Sequence, residues 1–542
     1  MNEGRLMNRG IRIGAFTLGA GAIACAFTFI LGSSQLGCGG GSGSGGTGNS
    51  TGGTGTPGTS GTGGTDSAGS TGTGGTGGSG SGACRNDFIE VATDISTDTN
   101  WACNSYVLKQ KIHIDGGASI ATLTIAAGST IYGDGSPTSP AALISTRNGR
   151  LVAVGTATSP ITFTSYAPVG QRTPGDTFAG VVLLGKASIN SGTCIGDADT
   201  STAACDAPGY FQQVIEGIPA NDTRGQYGGL DDTWNCGDLT YVRIQFAGYI
   251  IGANNELNGL TMGGCGTQTH ISYVHVHQGF DDGIEIFGGT VGMDHIVLTG
   301  NTDDQLDWDQ GWRGKVQFLI AQEAYGRGDK GFEADNYVST ETVSPRANPE
   351  IWNATVIGQN PNQTIGLHLR RGTWYKLRNF IVYGFGNATS GGSLDVDATA
   401  DDNNPNVDWP TKISIESSVF FGGPLAQMEL PPRPAADGSC TVPPIVMAPN
   451  VPSNDKCFDE AGALMDPARM NITTMDPMFQ AGLNVAVIPS QPSYIPGNAG
   501  AVTGKATPPA PFDTTATYAG AVDPATTPGS AWYDGWTEFP EK

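Results

Sequence analysis

Alternating apolar and polar residues dominate the chain after residue 84. Segments such as SIATLTIAAGSTIYGDG (Ser119 to Gly135) and ALISTRNGRLVAVGTATSPITFTS (Ala142 to Ser165) alternate, break at glycine or another turn-forming residue, and resume. This pattern indicates short β-strands, each with one buried face, joined by tight turns. No stretch after residue 84 carries the three-to-four-residue periodicity of an amphipathic helix. The pattern therefore predicts an all-β protein.

The strand-like segments also recur at a fixed spacing. LTYVRIQ, ISYVHVH, MDHIVLT and QFLIA superpose, with 22 residues between Ile271 and Met293 and again between Ile296 and Phe318. At about 3.3 Å per residue, such a repeat traces a loop of roughly 70 Å, enough for a three-sided coil of short strands. Coils that pair in parallel expose unpaired strand edges only at the two ends of the stack. The repeats predict a three-sided solenoid, the parallel β-helix.

Acidic residues follow the same spacing in the segment from Gln278 to Asn336, which contains QGFDDGIEIFGGTV, NTDDQLDWDQGWRG and GRGDKGFEADN. Carboxylates at equivalent positions of successive coils should stack in two columns. The first column is Asp281, Asp303 and Asp329, and the second is Glu285, Asp307 and Glu333. Neighbouring charges about 4.8 Å apart repel by roughly 1 kcal/mol in water and about 3–4 kcal/mol at an effective dielectric of 20. Some interaction must therefore reduce the repulsion between the carboxylates of each column.

Three ways to reduce this repulsion remain open, and each implies a different function. The six carboxylates of the two columns would hold a Ca²⁺ ion, which takes six to eight oxygen ligands. Alternatively, Lys330, Arg313, Lys315 or Arg327 would pair with them and leave a solvated face without activity. Protonation of one member would place an acid beside an ionised partner, the arrangement that glycoside hydrolysis uses.

The ends of the predicted solenoid differ in composition from its middle. We expect the β-helix domain to span residues 84–542. Residues 84–105 should cap the first coil, because a bare strand edge would pair with other chains. Residues 424–470 are proline-rich and form a predicted lateral loop, and the aromatic residues 500–542 form a predicted C-terminal cap over the last coil.

The N-terminus has the pattern of an export and anchoring signal. Arg5, Arg9 and Arg12 precede an apolar run from Ile13 to Leu31, which is followed by SSQLGC ending at Cys38. This resembles a bacterial lipoprotein signal, and the resemblance implies a signal peptide over residues 1–37 and a lipid on Cys38. An uncleaved membrane anchor is the alternative, since about 20 apolar residues can span a bilayer. Both interpretations place the remaining chain outside the inner membrane.

Residues 38–83 consist almost wholly of Gly, Ser and Thr after the cysteine. Such a segment cannot bury a core and should act as a flexible tether, with an end-to-end distance of about 35–40 Å. The formal net charge of the chain is −23, which argues against a nucleic-acid partner and favours divalent cations or a cationic surface. We therefore expect a bacterial cell-envelope protein, anchored in the outer membrane through its lipid and exposed at the surface.

The cysteines after residue 38 fall into neighbouring pairs. Proximity along the chain predicts the disulfides Cys84–Cys103, Cys194–Cys205, Cys236–Cys265 and Cys440–Cys457. Eight cysteines allow 105 connectivities, so this pairing rests on spacing alone. No Cys-x-x-Cys or zinc-type Cys/His spacing is present. Structural disulfides would fit an oxidising compartment outside the cytoplasm.

The combination of ATLTIAAGSTIYG, IEGIPANDTRGQYGG, FDDGIEIFGGTV, DDQLDWDQGWRGK and the closing WYDGWT resembles a group of bacterial surface and secreted β-helix proteins over roughly residues 90–540. The resemblance implies a right-handed parallel β-helix with terminal caps. It supplies no catalytic residues.

A weaker resemblance links NTDD (Asn301 to Asp304) to the Asn-Thr-Asp segment of pectin-degrading β-helix hydrolases, although their Gly-His-Gly motif is missing. The β-helix lyases of similar fold combine Ca²⁺-binding acids with an Arg or Lys base, a role open to Arg370 or Lys330. If the protein is an enzyme, the resemblance implies a catalytic set drawn from Asp281, Asp282, Asp303, Asp304, Asp307 and Arg370.

Three tryptophans near the acidic segment are candidates for stacking on sugar rings: Trp308, Trp312 and Trp374. Ordinary turn packing is the alternative for each of them. Together, the sequence favours a surface-anchored binding or adhesive module for saccharide or other cell-surface material, assisted by Ca²⁺. A polysaccharide lyase or glycoside hydrolase is the second interpretation, and a non-catalytic structural envelope protein is the third.

Overall fold

The computed structural model describes residues 84, 87–136, 138–196, 205, 209–252, 255–358, 364–386, 391–397, 403–426, 458–479, 483 and 488–542. They belong to one compact unit that begins at Gly80. The predicted signal peptide, the tether with Cys38 and the predicted Cys440–Cys457 bridge lie outside the described residues. Within the described ranges, no helix has both the length and the apolar character needed to cross a membrane.

Nearly all of the regular structure is β-strand, which confirms the predicted all-β class. The strands are β1 Phe88–Val91, β2 Thr99–Trp101, β3 Ser105–Leu108, β4 Lys111–Ile114, β5 Ala121–Ile125, β6 Thr130–Gly133, β7 Ala141–Ser145, β8 Gly149–Val154, β9 Ile161–Ser165, β10 Phe178–Leu184, β11 Thr193–Ile195, β12 Tyr210–Val214, β13 Gln226–Tyr227, β14 Gly237–Gln245, β15 Tyr249–Gly252, β16 Asn255–Leu257, β17 Leu260–Gly263, β18 His270–His277, β19 Ile284–Phe287, β20 Met293–Thr299, β21 Asp304–Asp309, β22 Lys315–Gln322, β23 Lys330–Ala334, β24 Glu350–Ile357, β25 Ile365–Leu369, β26 Tyr375–Arg378, β27 Ile381–Tyr383, β28 Gly392–Val396, β29 Ile413–Glu416 and β30 Val419–Phe421. Short helices are α1 Pro405–Asp408, α2 Glu460–Met465 and α3 Ala499–Val502, with 3-10 turns at Thr223–Gly225 and Pro467–Arg469.

These strands stack in parallel as the three sides of a β-helix. Face one contains β2, β5 and β8 and continues into the first halves of β14, β18, β20, β22 and β24, then β26 and β29. Face two contains β1, β3, β6 and β9, the second halves of the same long strands, then β27 and β30. Face three is the separate nine-stranded sheet β4-β7-β10-β17-β19-β21-β23-β25-β28. The predicted three-sided parallel β-helix is confirmed.

A left-handed residue makes the corner between faces one and two in seven successive coils. Its φ lies between 50° and 62° at each position, a conformation that L-residues adopt at a steric cost. The corner residues are Tyr241, Tyr273, His295, Phe318, Asn353, Asn379 and Ser417. Stacking and hydrogen bonding offset this cost: Tyr241 stacks on Tyr273 and Tyr273 on His295 with ring centroids 4.3 Å apart. The Asn353 amide donates to the Tyr518 carbonyl at 2.7 Å.

Apolar side chains that point inward form one continuous core along the solenoid axis. On face three, the inward position before the acidic column is apolar in every coil from β17 to β28, and each of these side chains is fully buried. The residues are Leu260, Ile284, Leu306, Phe332, Leu367 and Leu394. Because side chains alternate in direction along a strand, the residue that follows each of these apolar residues points outward.

The two predicted end caps form other structures. Residues 84–105 contain β1 and β2, which pair with β3 and β5, so this segment forms the first coil. The tail runs along the flank of the solenoid, rather than covering only the last coil. It meets Asn379 near one end, Arg243 farther along and Gly170 beyond that. The tail buries aromatic residues such as Trp536 against the corner column, which explains its composition.

Two insertions cover the early coils of face three. The first, between β10 and β14, contains the antiparallel strands β11, β12 and β13, and the second is the hairpin β15–β16. They bury an apolar cluster that includes Ile144, Val182 and Leu257. The disulfides Cys84–Cys103, Cys194–Cys205 and Cys236–Cys265 are formed as predicted. Beyond this cover, the outer side of face three changes from apolar to charged.

Candidate functional site

The outward position of face three carries a column of polar residues through six coils. Strand register aligns them in the order Thr261, Glu285, Asp307, Glu333, His368 and Asp395. The predicted stacking of Glu285, Asp307 and Glu333 is therefore present. His368 and Asp395 extend the same column into two further coils.

The other predicted acidic column lies at the corner where the chain enters face three. The backbone N–H of Asp303 donates to the Asp281 carbonyl at 3.2 Å, and that of Asp329 donates to the Asp303 carbonyl at 2.9 Å. Asp281 has a φ of 74°, so the chain turns there in the left-handed region. Asp303 and Asp329 are exposed, and Asp281 is half-buried.

A central column between these two contains Asp282, Asp304 and Lys330. The backbone N–H of Asp304 donates to Asp282 Oδ1 at 2.9 Å, and Asp304 pairs with Lys330 in the next rung. Asp304 is only 3% exposed. Its Oδ1 accepts no hydrogen bond from the described residues, and the Lys330 Nζ lies 3.7 Å away. The column thus buries a carboxylate oxygen whose one cationic neighbour within 4 Å, among the described residues, is beyond hydrogen-bond distance.

We call Asp281, Asp282, Glu285, Asp303, Asp304 and Asp307 the acidic half of face three. Apart from the long Asp304–Lys330 contact, none of the six has a Lys, Arg or His nitrogen within 4 Å in the part of the chain that the structure describes. Asp307 Oδ1 is also buried without a hydrogen-bond partner. Asn258 supplies a neutral donor, with its Nδ2 2.6 Å from Glu285 Oε2. The acidic half is therefore largely uncompensated.

Burial and mutual repulsion raise the pKa values of the acidic half. Burial, then Asp303 and Glu256, raise the pKa of Asp281 to about 8. Burial raises the pKa of Asp307 to about 7, although Arg370 opposes the rise. Burial and the charge of Asp304 hold the pKa of Asp282 well above its usual range, and burial and the charge of Asp303 do the same for Asp304, although Lys330 opposes that rise. Near neutral pH, these coils either hold protons or need an added positive charge.

In the following coils, lysine and arginine side chains of the protein neutralise the stacked carboxylates. We call this region the ion-paired half; it consists of Lys330, Glu333, Asp335, His368, Arg370, Arg371, Asp395 and Asp397. Lys330 Nζ lies 2.6 Å from Glu333 Oε2, and Arg370 also pairs with Glu333. Arg370 Nε lies 2.8 Å from Asp335 Oδ1, and Arg371 Nη1 lies 2.5 Å from Asp335 Oδ2. Glu333 and Asp335 therefore each have two cationic partners from lysine or arginine.

His368, Asp395 and Asp397 complete the ion-paired half and were missed by the sequence analysis. His368 Nε2 lies 3.0 Å from Asp397 Oδ2 and 3.6 Å from Asp395 Oδ2. Burial lowers the pKa of His368, but these two carboxylates outweigh it and raise the pKa overall. The signal was present in the similar phrases GLHLR and SLDVD. Insertions between these coils interrupt the 22-residue spacing and hide the alignment.

Of the four cationic residues predicted to pair with the acidic columns, only one lies beside them. Lys330 does so, whereas Arg313 pairs with Asp232 at 3.1 Å, on a different part of the surface. Arg327 Nη1 donates to the Gln278 side chain at 2.9 Å. Lys315 begins β22 on face one, near the Phe512 ring. Sequence proximity to the acidic segment did not ensure spatial proximity, because each coil turns through three faces.

Two of the three tryptophans that were candidates for stacking on sugars are inaccessible to a sugar ring. Trp308 and Trp312 are fully buried in the solenoid core. Trp308 pairs with the inward residue Ile286, so the alternation that turns Asp307 outward turns Trp308 inward. Trp374 is half-buried, with the Arg346 guanidinium 4.6 Å and Lys412 Nζ 4.7 Å from its ring centroid. Turn and core packing, the alternative interpretation, is correct for Trp308 and Trp312.

Carboxylates of neighbouring columns converge into groups that match the oxygen-rich ligand sets of hard cations. In each group, one ligand atom per residue lies within 4.8 Å of the others. The groups are Asp281, Asp282 and Asp303; Asp282, Glu285 and Asp307; Asp303, Asp304 and Asp329; Asp304, Asp307 and Glu333; and His368, Asp395 and Asp397. Four of the five are built only from carboxylates, the ligands that Ca²⁺ prefers. The donor set of the acidic half therefore fits a calcium ion.

Comparison with known proteins gives a match at the level of the domain. The family model described as a pectate-lyase-like beta helix domain matches residues 93–417, which is more than half of the chain. The matched range contains the acidic half and the ion-paired half. Searches of the curated proteins and of the solved structures returned no significant match.

Proposed function

Because the chain belongs to the pectate-lyase-like β-helix domain family, we propose that the acidic half of face three binds Ca²⁺ and, through it, an anionic polysaccharide. The protein would act as a binding or adhesive module of the cell envelope. The observation that carries the proposal is the buried Oδ1 of Asp307, which accepts no hydrogen bond from the described residues and belongs to a carboxylate that converges with those of Asp282 and Glu285.

The proposed ligands are Asp282, Glu285 and Asp307, with Asp281 and Asp303 beside them. These residues come from β19, β21 and the turns before them, so the β-helix core holds their backbones at fixed spacing. A bound Ca²⁺ would supply the missing positive charge and accept oxygens from a polysaccharide carboxylate. An uncharged saccharide would lack that contact, so selectivity for acidic sugars follows.

Calorimetric titration of Ca²⁺ into the chelator-treated full chain tests the cation site. We expect saturable binding that the double variant Asp282→Asn/Asp307→Asn weakens by at least roughly tenfold, since two of the charged ligands become neutral. Glu90→Gln is the matched control, because it removes one carboxylate from an exposed position on face two and should leave the affinity unchanged. Equal affinities for the double variant and the wild type would exclude this site.

Affinity electrophoresis in gels containing polygalacturonate tests the saccharide step. The proposal predicts retardation with Ca²⁺ and free migration with chelator, and a gel containing a neutral polysaccharide serves as the control. Calcium binding without polysaccharide binding would leave a purely structural cation site. Absence of both would favour the non-catalytic structural envelope protein.

A second candidate function is cleavage of the polysaccharide by β-elimination. Arg370 favours it, because it lies on the same face and burial, together with Arg371, lowers the pKa of its guanidinium. The ion pairs of Arg370 with Glu333 and Asp335 favour binding without cleavage. Ultraviolet absorbance from unsaturated products, lost in Asp304→Asn, would establish the lyase. New reducing ends without that absorbance would establish a glycoside hydrolase.

We also propose that the mature chain is anchored to the outer membrane through lipid on Cys38 and exposed at the cell surface. The support is the sequence pattern that ends at Cys38 and the Gly/Ser/Thr-rich stretch after it. Metabolic labelling with a fatty acid should mark the wild type and leave Cys38→Ala unlabelled. Label retained in Cys38→Ala would remove this proposal without affecting the cation site.

A further inference from the structure

A second polar site lies on the opposite part of face three, at the corner where the early coils leave it. A cavity of about 350 Å³ is lined there by Asp115, Thr146, Arg147, Asn148, Lys186, Thr223, Arg224 and Gln226. We call it the corner cavity. Its volume is within the range of small-molecule sites in proteins.

Register explains why basic residues meet at this corner. Ile114 pairs with Ser145, and Ser145 pairs with Leu183, at the ends of β4, β7 and β10. Asp115, Arg147 and Lys186 follow these residues by one, two and three positions, respectively, so they come from three stacked turns. The 3-10 turn Thr223–Gly225 of the insertion adds Arg224 from the other side. The cavity is thus formed by the solenoid and its insertion together.

The cations of the corner cavity differ in how they are compensated. Arg224 is held by Asp222, with its Nη2 2.6 Å from Oδ2, and by Asp94, with its Nη1 2.8 Å from Oδ2. Arg147 forms no ion pair with any described residue, and its Nε is buried without a hydrogen-bond partner. Lys186 Nζ donates to Asn148 Oδ1 at 3.3 Å and lies 4.1 Å from the centroid of the Trp234 ring.

An unpartnered, buried guanidinium N–H is costly and indicates a missing acceptor. The planar fork of an arginine matches the oxygens of a carboxylate, sulfate or phosphate, and Lys186 beside it adds a second charge. Asp115 also lines the cavity, but one of its carboxylate oxygens is occupied by the Gly117 N–H at 2.9 Å. Asn148, Thr146 and Gln226 supply neutral polar groups of the kind that bind hydroxyls.

We propose that the corner cavity binds the oxyanion group of a small polar ligand through Arg147 and Lys186. A sugar acid would place its carboxylate on the two cations and its hydroxyls on the neutral groups. Inorganic sulfate or phosphate would use the cations alone. This site is independent of the acidic half, because it needs no metal ion.

Calorimetry in the presence of chelator, at constant ionic strength, tests the proposal on the full chain with galacturonate, sulfate and phosphate as separate probes. We expect saturable binding of at least one probe and none of neutral galactose. Arg147→Gln and Lys186→Gln should each weaken it by roughly tenfold, while Arg147→Lys should retain part of the affinity. Lys376→Gln, on face one of a late coil, is the matched control and should bind normally.

The three probes distinguish the source of the oxyanion. Binding of galacturonate well above sulfate and phosphate assigns a sugar acid, and equal binding of the inorganic anions assigns a free oxyanion. No binding of any probe would overturn the proposal, as would binding that both Gln variants retain. Near-ultraviolet circular dichroism and thermal melting of each variant verify that a loss of binding is not a loss of folding.

Discussion

The acidic half and the ion-paired half lie on the same face of the β-helix, share one strand register and use the same outward-pointing strand positions. Glu285, Asp307 and Glu333 occupy equivalent positions in successive coils. Glu333 meets Lys330 and Arg370, whereas Asp307 keeps a buried oxygen without a hydrogen-bond partner. Stacking brings like charges together in both halves, so the difference lies in what neutralises them.

This difference shows how one face of a β-helix can have a region stabilised by its own ion pairs next to a region suited to binding a cation. The apolar core fixes the position of every outward side chain, whichever charges stand there. In the ion-paired half, Lys330, Arg370 and Arg371 pair with the buried carboxylates. The acidic half lacks comparable internal cations among the described residues, so an added cation would stabilise it selectively. Substitutions that change this balance should therefore have opposite effects in the two halves.

Lys330→Met should have the largest effect, because Lys330 lies at the boundary between the halves. The change removes a buried cation from Asp304, Asp329 and Glu333 and leaves carboxylates without their partner. We expect a loss of about 3–5 kcal/mol in the free energy of unfolding, measured by denaturant titration in chelator. Lys376→Met, at a half-buried position on face one, should change it by less than about 0.5 kcal/mol. A comparably small loss for Lys330→Met would contradict the assignment of Lys330 as the internal counter-charge.

Glu333→Gln should destabilise the ion-paired half to a smaller extent. The substitution keeps the shape of the side chain but leaves Lys330 and Arg370 each with one carboxylate partner fewer. We expect a loss of about 2–3 kcal/mol in the same measurement, because the remaining buried cations are less well compensated. An unchanged stability would mean that Asp329, Asp304 and Asp335 suffice for these cations.

Asp282→Asn should have the opposite sign. Its carboxylate has no cation within 4 Å among the described residues, and the substituted amide can still accept the Asp304 N–H through its oxygen. We expect chelator-treated protein at pH 8 to gain about 1 kcal/mol, since repulsion is removed. The stabilisation by added Ca²⁺ should become smaller. Destabilisation in chelator would show that Asp282 is compensated by contacts other than charge.

The repeat pattern was sufficient to predict the fold and the stacking. Spacing of 22 residues placed Glu285 and Asp307 in one column because a solenoid coil of constant length returns to the same face. Whether an individual side chain points inward or outward was harder to predict. Trp308 was a candidate for stacking on sugars beside Asp307, with turn packing as the alternative, and it lies in the core because consecutive strand residues point in opposite directions.

The charge balance of the site could not be read from local sequence. His368 is aligned with Glu333 only after a long insertion, so the register had to be seen in space. Arg370 and Arg371 neutralise Asp335 from a coil 35 residues later, at a distance along the chain that no short motif records. In contrast, Arg313 is near in sequence and pairs with Asp232 elsewhere. Local motifs therefore indicated where acids gather but not which of them are paired.

The pH dependence of stability should be the smallest effect, and it tests the acidic half without mutation. Burial and neighbouring carboxylates raise the pKa of Asp281 to about 8, and burial raises the pKa of Asp307 to about 7, above the values expected in the unfolded chain. The folded state then holds more protons than the unfolded state, so stability must fall as pH rises through these values. We expect the melting temperature in chelator to fall by roughly a few degrees from pH 6 to pH 8. Saturating Ca²⁺ should remove most of this slope.

Buried histidines also contribute to this slope. Burial lowers the pKa of His368, but Asp397 and Asp395 raise it overall, so its contribution to stability also falls as pH rises, and only the part of the slope that the double variant loses belongs to the acidic half. Burial lowers the pKa of His277 to about 4, so its destabilising protonation begins below pH 6.5 and acts in the opposite direction. Repeating the pH series with Asp282→Asn/Asp307→Asn provides the control, because two of the titrating carboxylates are then absent and the slope in chelator should decrease. A slope that stays the same in the double variant, or that Ca²⁺ leaves unchanged, would place the proton-binding groups outside the acidic half. A reduced slope together with a lost response to Ca²⁺ would instead show that protons and the cation compete for the same carboxylates.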